Sequence, residues 1–231
     1  MGEMRQLLER DGAVRLEGLI NQSLGEWKAA TKPFLELGKP GHRISGSTIV
    51  AALANDICET SAFQNAASGS WSPVRAIAFN KSKNANWSLG WHQDRTIAVK
   101  RRQRVEGFDV WSIKDGLTHV EPPFSLLERM VTMRLHLDEV GADNAPLLVA
   151  KGSHRLGKLE EAEIDGVIER SMVYPCHAEA GDGWLYATPI LHASARSEGK
   201  RPRRVIQIDF SQDALPGDLE WAGIGYSGAQ P

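Results

Sequence analysis

The sequence predicts an α+β chain in which short helices near the amino terminus precede a β-sandwich or β-barrel core. Residues 22–37 and 47–66 place apolar side chains at roughly helical spacing, whereas residues 73–210 break into short strand-like runs. Gly, Pro, Asn and Asp separate those runs. Many short strands divided by turn residues are typical of sandwiches and barrels.

The amino-terminal part combines helical signals with one predicted strand. Residues 3–10 are polar and favour a helix, and the alternating AVRLEGLI at residues 13–20 predicts a strand. Residues 22–37 predict an amphipathic helix. Pro33 is expected to interrupt it, because proline cannot donate the backbone hydrogen bond that a helix interior requires.

A second helical stretch is predicted over residues 47–66, where Ser47 or Thr48 is a suitable N-cap. The chain then changes to strands. The predicted strands cover residues 73–80, 88–93, 129–138, 146–150, 171–176, 183–188 and 204–210. No internal repeat or low-complexity linker divides the sequence, so residues 1–231 are expected to form a single domain.

Residues 95–123 are expected to form a long active-site loop. A stretch this long with little periodicity is usually functional or mobile. Its basic cluster consists of Lys100, Arg101, Arg102 and Arg104. Trp111 and His119 follow. The cluster fits either a solvated loop face or a lid over a substrate, and both interpretations remain open.

Composition excludes several classes of partner. The formal net charge is −2, from 27 basic and 29 acidic residues, so no bulk basic field predicts binding to nucleic acid or to a membrane surface. Cys58 and Cys176 are too far apart for a C-x-x-C metal or redox motif. The opening residues lack the apolar segment of a signal peptide. A cytoplasmic protein is expected, and nothing in the sequence specifies its oligomeric state.

The stretch WHQD at residues 91–94 carries the first chemical signal. Residues i and i+2 of a strand face the same way, so His92 and Asp94 can present an imidazole and a carboxylate to one metal ion. A second histidine would complete the 2-His-1-carboxylate group that binds Fe(II) with open positions. His192 has the best context among the others, because it follows a turn at residues 181–183 and a predicted strand.

Arg203 stands shortly after His192, at the entry to the predicted strand RVIQIDF. A guanidinium binds a carboxylate through two charge-assisted hydrogen bonds. An iron site beside such an arginine could therefore bind a 2-oxo acid whose far carboxylate pairs with it. Arg201 and Arg204 compete for this role, although alternation puts Arg204 on the opposite face of the strand from Arg203.

Three segments of the chain resemble the phytanoyl-CoA dioxygenase-like Fe(II)/2-oxoglutarate oxygenases. The segments are WHQD at 91–94, LDEVGADNAPLLVAKGSHR at 137–155 and GDGWLYATPILHAS with RPRRVIQIDF within 181–210. The resemblance covers most of the chain in the right order. It implies a double-stranded β-helix, or cupin-like jelly roll, with flanking N-terminal helices. It also implies Fe(II) as cofactor, 2-oxoglutarate and O2 as cosubstrates, and release of succinate and CO2.

The resemblance also assigns individual residues. The implied iron ligands are His92, Asp94 and His192. Arg203 matches the arginine that binds the distal carboxylate of 2-oxoglutarate, and Ser194 matches a hydroxyl near that carboxylate. Lys81 is similar to a family lysine upstream of the metal motif, whose role stays open. Asp94 is a carboxylate where halogenating relatives have a small residue, so hydroxylation or a related oxidation is favoured.

Two residues depart from the family pattern. Ala145 stands where the family usually has glycine, and Lys151 stands where it usually has proline. Both fall in a predicted turn between strands. The departures therefore concern the shape of that turn more than the chemistry.

The predicted strand RMVTMRLHLD indicates which side chains could meet a substrate. Its apolar face is formed by Val131, Met133, Leu135 and Leu137. If that face packs on helices, Arg134 and His136 lie near the iron pocket and favour a small polar or anionic substrate. They could instead be paired structural groups near a rim. Trp111 and His119 are further candidates for substrate contact.

The sequence therefore predicts an Fe(II)/2-oxoglutarate-dependent dioxygenase acting on a small molecule. One alternative is a jelly-roll protein that binds metal or ligand without turning over oxygen. Another is a cupin-type iron enzyme that needs no oxo acid. The intact set of four residues, His92, Asp94, His192 and Arg203, argues against the first alternative. Arg203 argues against the second, because only an oxo acid requires a carboxylate-binding group there.

Overall fold

The computed structural model describes residues 2–39, 41–82, 85–198 and 201–227. The α-helices are α1 (Glu3–Asp11), α2 (Leu24–Leu35), α3 (Thr48–Glu59), α4 (Ser61–Ala66), α5 (Phe124–Leu127) and α6 (Glu161–Arg170). The strands are β1 (Ala13–Leu16), β2 (His42–Ile44), β3 (Ser72–Lys81), β4 (Leu89–His92), β5 (Ile97–Val99), β6 (Asp109–Lys114), β7 (Leu117–Glu121), β8 (Val131–His136), β9 (Leu147–Ala150), β10 (Val173–Cys176), β11 (Gly183–Ala187), β12 (His192–Ser194) and β13 (Arg203–Ser211). None of the described helices has the length and apolar character that a membrane span requires.

The strands form two facing antiparallel sheets and a smaller third one. The six-stranded sheet has the order β1-β11-β8-β13-β3-β2, and the four-stranded sheet has the order β10-β9-β12-β4. Side chains of the two sheets pack together, as Leu147 and Val149 do with Trp184 and Tyr186. This is the predicted double-stranded β-helix, and the fold class is confirmed.

The two faces of the six-stranded sheet have opposite chemistry. Met133, Leu135 and Ile206 point outward and share one apolar core with helical residues such as Trp27 and Phe63. Burial of each such side chain contributes about 1.5–3 kcal/mol. The alternate residues of the same strands point between the sheets, where the side chains are mostly polar.

The polar interior follows from strand register. One row of residues directly opposite one another on successive strands consists of Arg43, Ile77, Gln207, Arg134, Trp184 and Arg15. The next row consists of Arg75, Asp209, Thr132 and Tyr186. Arg203 lies opposite Lys81 at the far end. The ladder therefore collects cationic and amide side chains from five strands on one interior face.

The helices differ from the sequence prediction: α5 and α6 were not predicted, and two of the predicted helices differ in detail. The predicted interruption at Pro33 is wrong, because α2 continues to Leu35 and proline costs only a hydrogen bond in the last turn. The predicted helix over 47–66 is divided at Thr60, whose hydroxyl accepts a hydrogen bond from Phe63 N at 3.2 Å and caps α4. Ser47 caps α3 as predicted.

Residues 95–123, predicted as a loop, instead contain the three-stranded sheet with the order β5-β7-β6. Asp115 and Gly116 connect β6 to β7 with φ of 48° and 79°. Two such positive φ values fit the type I′ turn that Asp-Gly favours in hairpins. The hairpin signal was thus present in the sequence, between two runs too irregular to identify as strands.

The two departures from the family pattern have visible consequences. Ala145 adopts φ 48°, the left-handed conformation that glycine takes more easily. The Lys151 ammonium lies 3.1 Å from a carboxylate oxygen of Asp11. Asp11 also accepts two hydrogen bonds of 2.8 Å from Arg10, and its carbonyl accepts one of 2.9 Å from Gly152 N. Asp11 thereby ties the end of α1 to the turn after β9.

The Asp11 carboxylate should contribute to stability in a pH-dependent way. The Arg10 hydrogen bonds lead, with Lys151 adding to them, in lowering the pKa of Asp11 from 3.8 to about 2. Its side chain is 12% exposed. We expect Asp11→Asn to lower the free energy of unfolding by about 2 kcal/mol at neutral pH. A depressed pKa stabilises above the unfolded-state value, so the loss should shrink as pH falls from 3.8 towards 2.

Urea unfolding of Asp11→Asn and of the parent at neutral pH and near the lowered pKa measures this effect. Asp213→Asn is the control, because the Asp213 side chain is 32% exposed against 12% for Asp11, and exposed pairs contribute about 1 kcal/mol or less. An equal loss at both pH values would contradict the assignment.

Candidate functional site

The ladder between β4 and β12 brings two histidines together. His192 lies directly opposite His92 in the register, and their ring centroids are 4.2 Å apart. Asp94 follows β4, with one carboxylate oxygen 4.0 Å from Nε2 of His192. One ligand atom from each residue lies within 4.8 Å of the others. These three residues, which we call the metal-binding group, can hold a metal ion through two histidines and one carboxylate.

Backbone carbonyls set the orientation of both rings. Nδ1 of His92 lies 2.8 Å from the Gly90 carbonyl oxygen, and Nδ1 of His192 lies 2.9 Å from that of Ile190. A carbonyl only accepts, so each Nδ1 carries the proton and each Nε2 keeps its lone pair for a metal. Burial, aided by His92, lowers the pKa of His192 to about 3 and keeps that ring neutral.

Gln93 fixes the backbone between the two ligands of the WHQD motif. Its amide donates to the carbonyl oxygens of Gly157 and Pro189, each at 2.9 Å. Its oxygen accepts a hydrogen bond of 3.0 Å from Leu159 N. The side chain therefore points away from the metal-binding group, as strand alternation predicts, and holds His92 and Asp94 on the inner side.

Gln207 supports the metal-binding carboxylate from the opposite sheet. Its amide nitrogen donates to Asp94 at 3.2 Å, and its oxygen accepts a hydrogen bond of 3.1 Å from Arg134. Arg134 can only donate, so it fixes the orientation of the Gln207 amide. Although burial opposes the charge, His192 and Arg75 hold the pKa of Asp94 below its usual value. Asp94 is therefore an oriented carboxylate in its ionised form, which a metal ion could bind.

A second cluster, which we call the inner cation cluster, consists of Arg203, Lys81 and Arg134. Lys81 donates to Ser194 Oγ at 2.8 Å and to the Ala195 carbonyl, and Arg203 lies 3.5 Å from the same Ser194 oxygen. Nε and Nη2 of Arg203 are buried and have no partner among the described residues. Within the same residues none of the three cations is ion-paired with a carboxylate.

Burial and mutual repulsion disfavour the positive charges of this cluster. Burial first, then Arg134, lowers the pKa of Arg203 to about 9. Burial, Arg203 and Arg134 lower the pKa of Lys81 to about 7. Uncompensated buried charge is costly, so the cluster fits an anionic ligand that supplies the missing partner. The unpaired fork of Arg203 suits a carboxylate.

The metal-binding group and the inner cation cluster share one groove between the sheets. Gln207, which contacts Asp94, and Arg203 are four residues apart on β13, about 13 Å along the strand. Arg134 lies directly opposite Gln207 on β8, and His136 lies opposite Val205, between the levels of Gln207 and Arg203. His136 is also buried there, with neither ring nitrogen hydrogen-bonded to any described residue. Burial, then Arg203, lowers its pKa to about 3, so its ring is neutral.

Two other predicted contact residues lie elsewhere. Trp111 lines a separate cavity of about 870 Å³ formed by residues 102–111, with Arg102 5.5 Å from its ring centroid. His119 is fully buried, and its Nδ1 lies 3.0 Å from the Leu117 carbonyl oxygen. Neither residue lines the cavity beside the metal-binding group. No contact in the structure tests a substrate role for either, and that role stays a prediction.

The cavity beside the metal-binding group has a volume of about 700 Å³. Its walls are residues 90–96, Lys114 of the hairpin, and Glu161, Ile164 and Asp165 of α6. Lys114 falls within the predicted active-site loop 95–123 but was not singled out as a site residue, and the sequence did not predict α6 as part of a site. Sequence reasoning also missed Gln207, although alternation along RVIQIDF puts Gln207 on the same face as Arg203.

The chain matches one protein family in sequence and several solved structures in fold. The profile of the Phytanoyl-CoA dioxygenase (PhyH) family matches residues 2–205. A comparison with curated proteins gave no match.

Among solved structures, the chain is similar to the epimerase SnoN in complex with Fe3+, alpha ketoglutarate and nogalamycin RO. The TM-score is 0.68 with 14% identity, over 99% of this chain and 91% of that one. EctD from S. alaskensis in its apoform gives 0.64 with 15% identity, over 91% and 76%. HygX from Streptomyces hygroscopicus, with nickel, 2-oxoglutarate and hygromycin B bound, gives 0.61 with 13% identity, over 91% and 87%. At these identities the likeness establishes a shared fold.

Removing the amide that orients Asp94 should weaken metal binding. We expect Gln207→Leu to raise the metal Kd about 10–100-fold, because partners that orient a ligand contribute on this scale. Anaerobic titration calorimetry with Fe(II) measures the change. Gln212→Leu, a substitution at an exposed glutamine, is the matched control. Unchanged affinity in a folded Gln207→Leu variant would show that Gln207 does not position the ligand.

Proposed function

Because the chain belongs to the phytanoyl-CoA dioxygenase family, we propose that it is an Fe(II)- and 2-oxoglutarate-dependent oxygenase that hydroxylates a small polar or anionic molecule. The observation that carries this proposal is the shared groove. One end can hold a metal through His92, Asp94 and His192, and the other presents the unpaired, buried guanidinium of Arg203. A metal site alone would not require that arginine.

In this proposal the chain's residues divide into two binding functions. Nε2 of His92, Nε2 of His192 and the Asp94 carboxylate would hold Fe(II). Burial keeps the His192 ring neutral and the pKa of Asp94 lies below its usual value, as metal binding requires. Arg203 binds the distal carboxylate of 2-oxoglutarate, assisted by Ser194 and Lys81. When bound, iron, 2-oxoglutarate and O2 supply the oxidant for a substrate C–H bond, with succinate and CO2 released.

The surrounding residues position these groups and exclude water. Gln207 and Arg134 orient Asp94 from the side opposite the open cavity. The inner end of the groove is shielded from bulk solvent, since Arg203 and Lys81 are 3% and 1% exposed. A low-dielectric environment strengthens the pairing of Arg203 with a carboxylate. The substrate then approaches from the cavity beside His92 and Asp94.

Hydroxylation is proposed rather than another oxidative outcome. Asp94 keeps a carboxylate at the metal-binding position, which favours hydroxylation over halogenation. The similar structures include a protein described as an epimerase, so this fold accommodates several outcomes.

We further propose that residues 1–231 act as one catalytic domain. Strands from both ends of the chain alternate in the six-stranded sheet, which supports this proposal.

The cofactor assignment predicts a spectroscopic signature. Anaerobic titration of the Fe(II)-loaded protein with 2-oxoglutarate should produce a weak visible charge-transfer band. Arg203→Ala should weaken the band at a given 2-oxoglutarate concentration by about tenfold or more, because a charge-assisted pair is lost. His192→Ala should remove it by removing a metal ligand. Arg201→Ala, at an exposed arginine paired with Glu139, should leave the band unchanged.

The titration also separates the competing functions. A folded, iron-loaded parent that shows no band would contradict the oxygenase proposal and favour a jelly-roll protein that binds metal without an oxo acid. A band that depends on Arg203 would justify a substrate screen by succinate release.

A further inference from the structure

The hairpin between β6 and β7 brings a lysine to the open side of the metal-binding group. Lys114, the last residue of β6, lines the same cavity as His92 and Asp94. It is half-buried and forms no ion pair with any described carboxylate. Burial, then Arg43 and Arg75, lowers its pKa. A lysine that has no ion-pair partner among the described residues therefore faces the cavity beside His92 and Asp94, through which a substrate would reach a bound metal.

The neighbouring Asp115 does not neutralise Lys114, because β2 engages it. Its carboxylate accepts hydrogen bonds from Arg43 N at 3.0 Å and Lys39 Nζ at 3.4 Å. It also lies 3.7 Å from Nδ1 of His42. These contacts fix the tip of the hairpin on the edge of the six-stranded sheet. The contacts of Asp115 therefore also anchor the backbone of the adjacent Lys114.

Arg43 supplies a second cation from that edge strand. It lies opposite Ile77, which lies opposite Gln207, so Arg43 belongs to the interior row that supports Asp94. Its side chain is 24% exposed, and its buried Nε has no hydrogen-bond partner among the described residues. Burial, then Arg75, lowers its pKa. Its Nη1 lies 3.6 Å from a carboxylate oxygen of Asp115.

We propose that Lys114 and Arg43 form an anion-binding subsite for the substrate, which therefore carries a carboxylate or phosphate group. The inference rests on the proposed function for the identity of the site, and it deepens that function by naming the substrate class. The anion lies on the hairpin side of the cavity, since the α6 side carries the acidic Glu161 and Asp165. This subsite is distinct from the inner cation cluster, which lies at the far end of the groove.

Anion binding can be measured without turnover. Inorganic phosphate and acetate are titrated calorimetrically into the full chain under anaerobic conditions, with Fe(II) and saturating 2-oxoglutarate present so that the inner cation cluster is occupied. We expect Lys114→Gln to raise the Kd of at least one of these anions about tenfold, because it removes a charge-assisted hydrogen bond. Lys114→Arg should restore most of the affinity. Lys100→Gln, which alters a lysine paired with Glu220, should have no effect.

Repeating the titration without Fe(II) and 2-oxoglutarate distinguishes the two proposals. The Lys114-dependent binding should persist there, so a failure of the cofactor assignment would not remove it. Preference for phosphate or for acetate identifies which anionic group the subsite accepts. Equal affinity of the parent and Lys114→Gln for both anions, or no binding by the parent, would overturn the inference.

A substrate screen tests the consequence for activity. Small carboxylates and phosphates are compared with their neutral amide and alcohol counterparts by succinate release. Lys114→Gln should raise KM for an anionic substrate about tenfold with a smaller effect on kcat, because Lys114 binds a part of the substrate that does not react. Turnover restricted to neutral compounds would also overturn the inference.

Discussion

The pairing of β4 with β12 is the constraint on which the candidate metal centre depends. Its register places His92 directly opposite His192, so two distant parts of the chain supply ligands from one rigid ladder. The carbonyls of Gly90 and Ile190 then fix both ring orientations. Asp94 lies two residues after His92 and completes the group from the segment that follows β4. Two of its three candidate ligands thus lie on strands, which hold ligands more precisely than loops do.

The six-stranded sheet separates stability from function between its two faces. The outer face packs side chains such as Met133 and Ile206 against the amino-terminal helices and supplies apolar burial. The inner face carries Arg203, Lys81 and Arg134, whose charges have no carboxylate partner among the described residues. Local rules of stability are commonly broken at functional sites and offset elsewhere. The apolar face offsets the cost that the inner face incurs.

Charge is arranged on two sides of the metal-binding group. The inner cation cluster lies at the closed end of the groove, and Lys114 lines the cavity at the open side. His136 and His192 are held neutral by burial, so positive charge is confined to arginine and lysine. In the proposed function, one anion binds inside and a second binds near the entrance.

Local rules in the sequence determined much of the site. The period of two placed His92 with Asp94, separated Arg203 from Arg204, and assigned the two faces of β8. Only the tertiary structure decided that Gln207 contacts Asp94, that Trp111 lies in a separate cavity, and that Lys114 lines the entrance. Those positions depend on the register between distant strands and on Asp115 docking the hairpin on β2. Such contacts join residues far apart in the chain, and the periodicity of a single segment does not encode them.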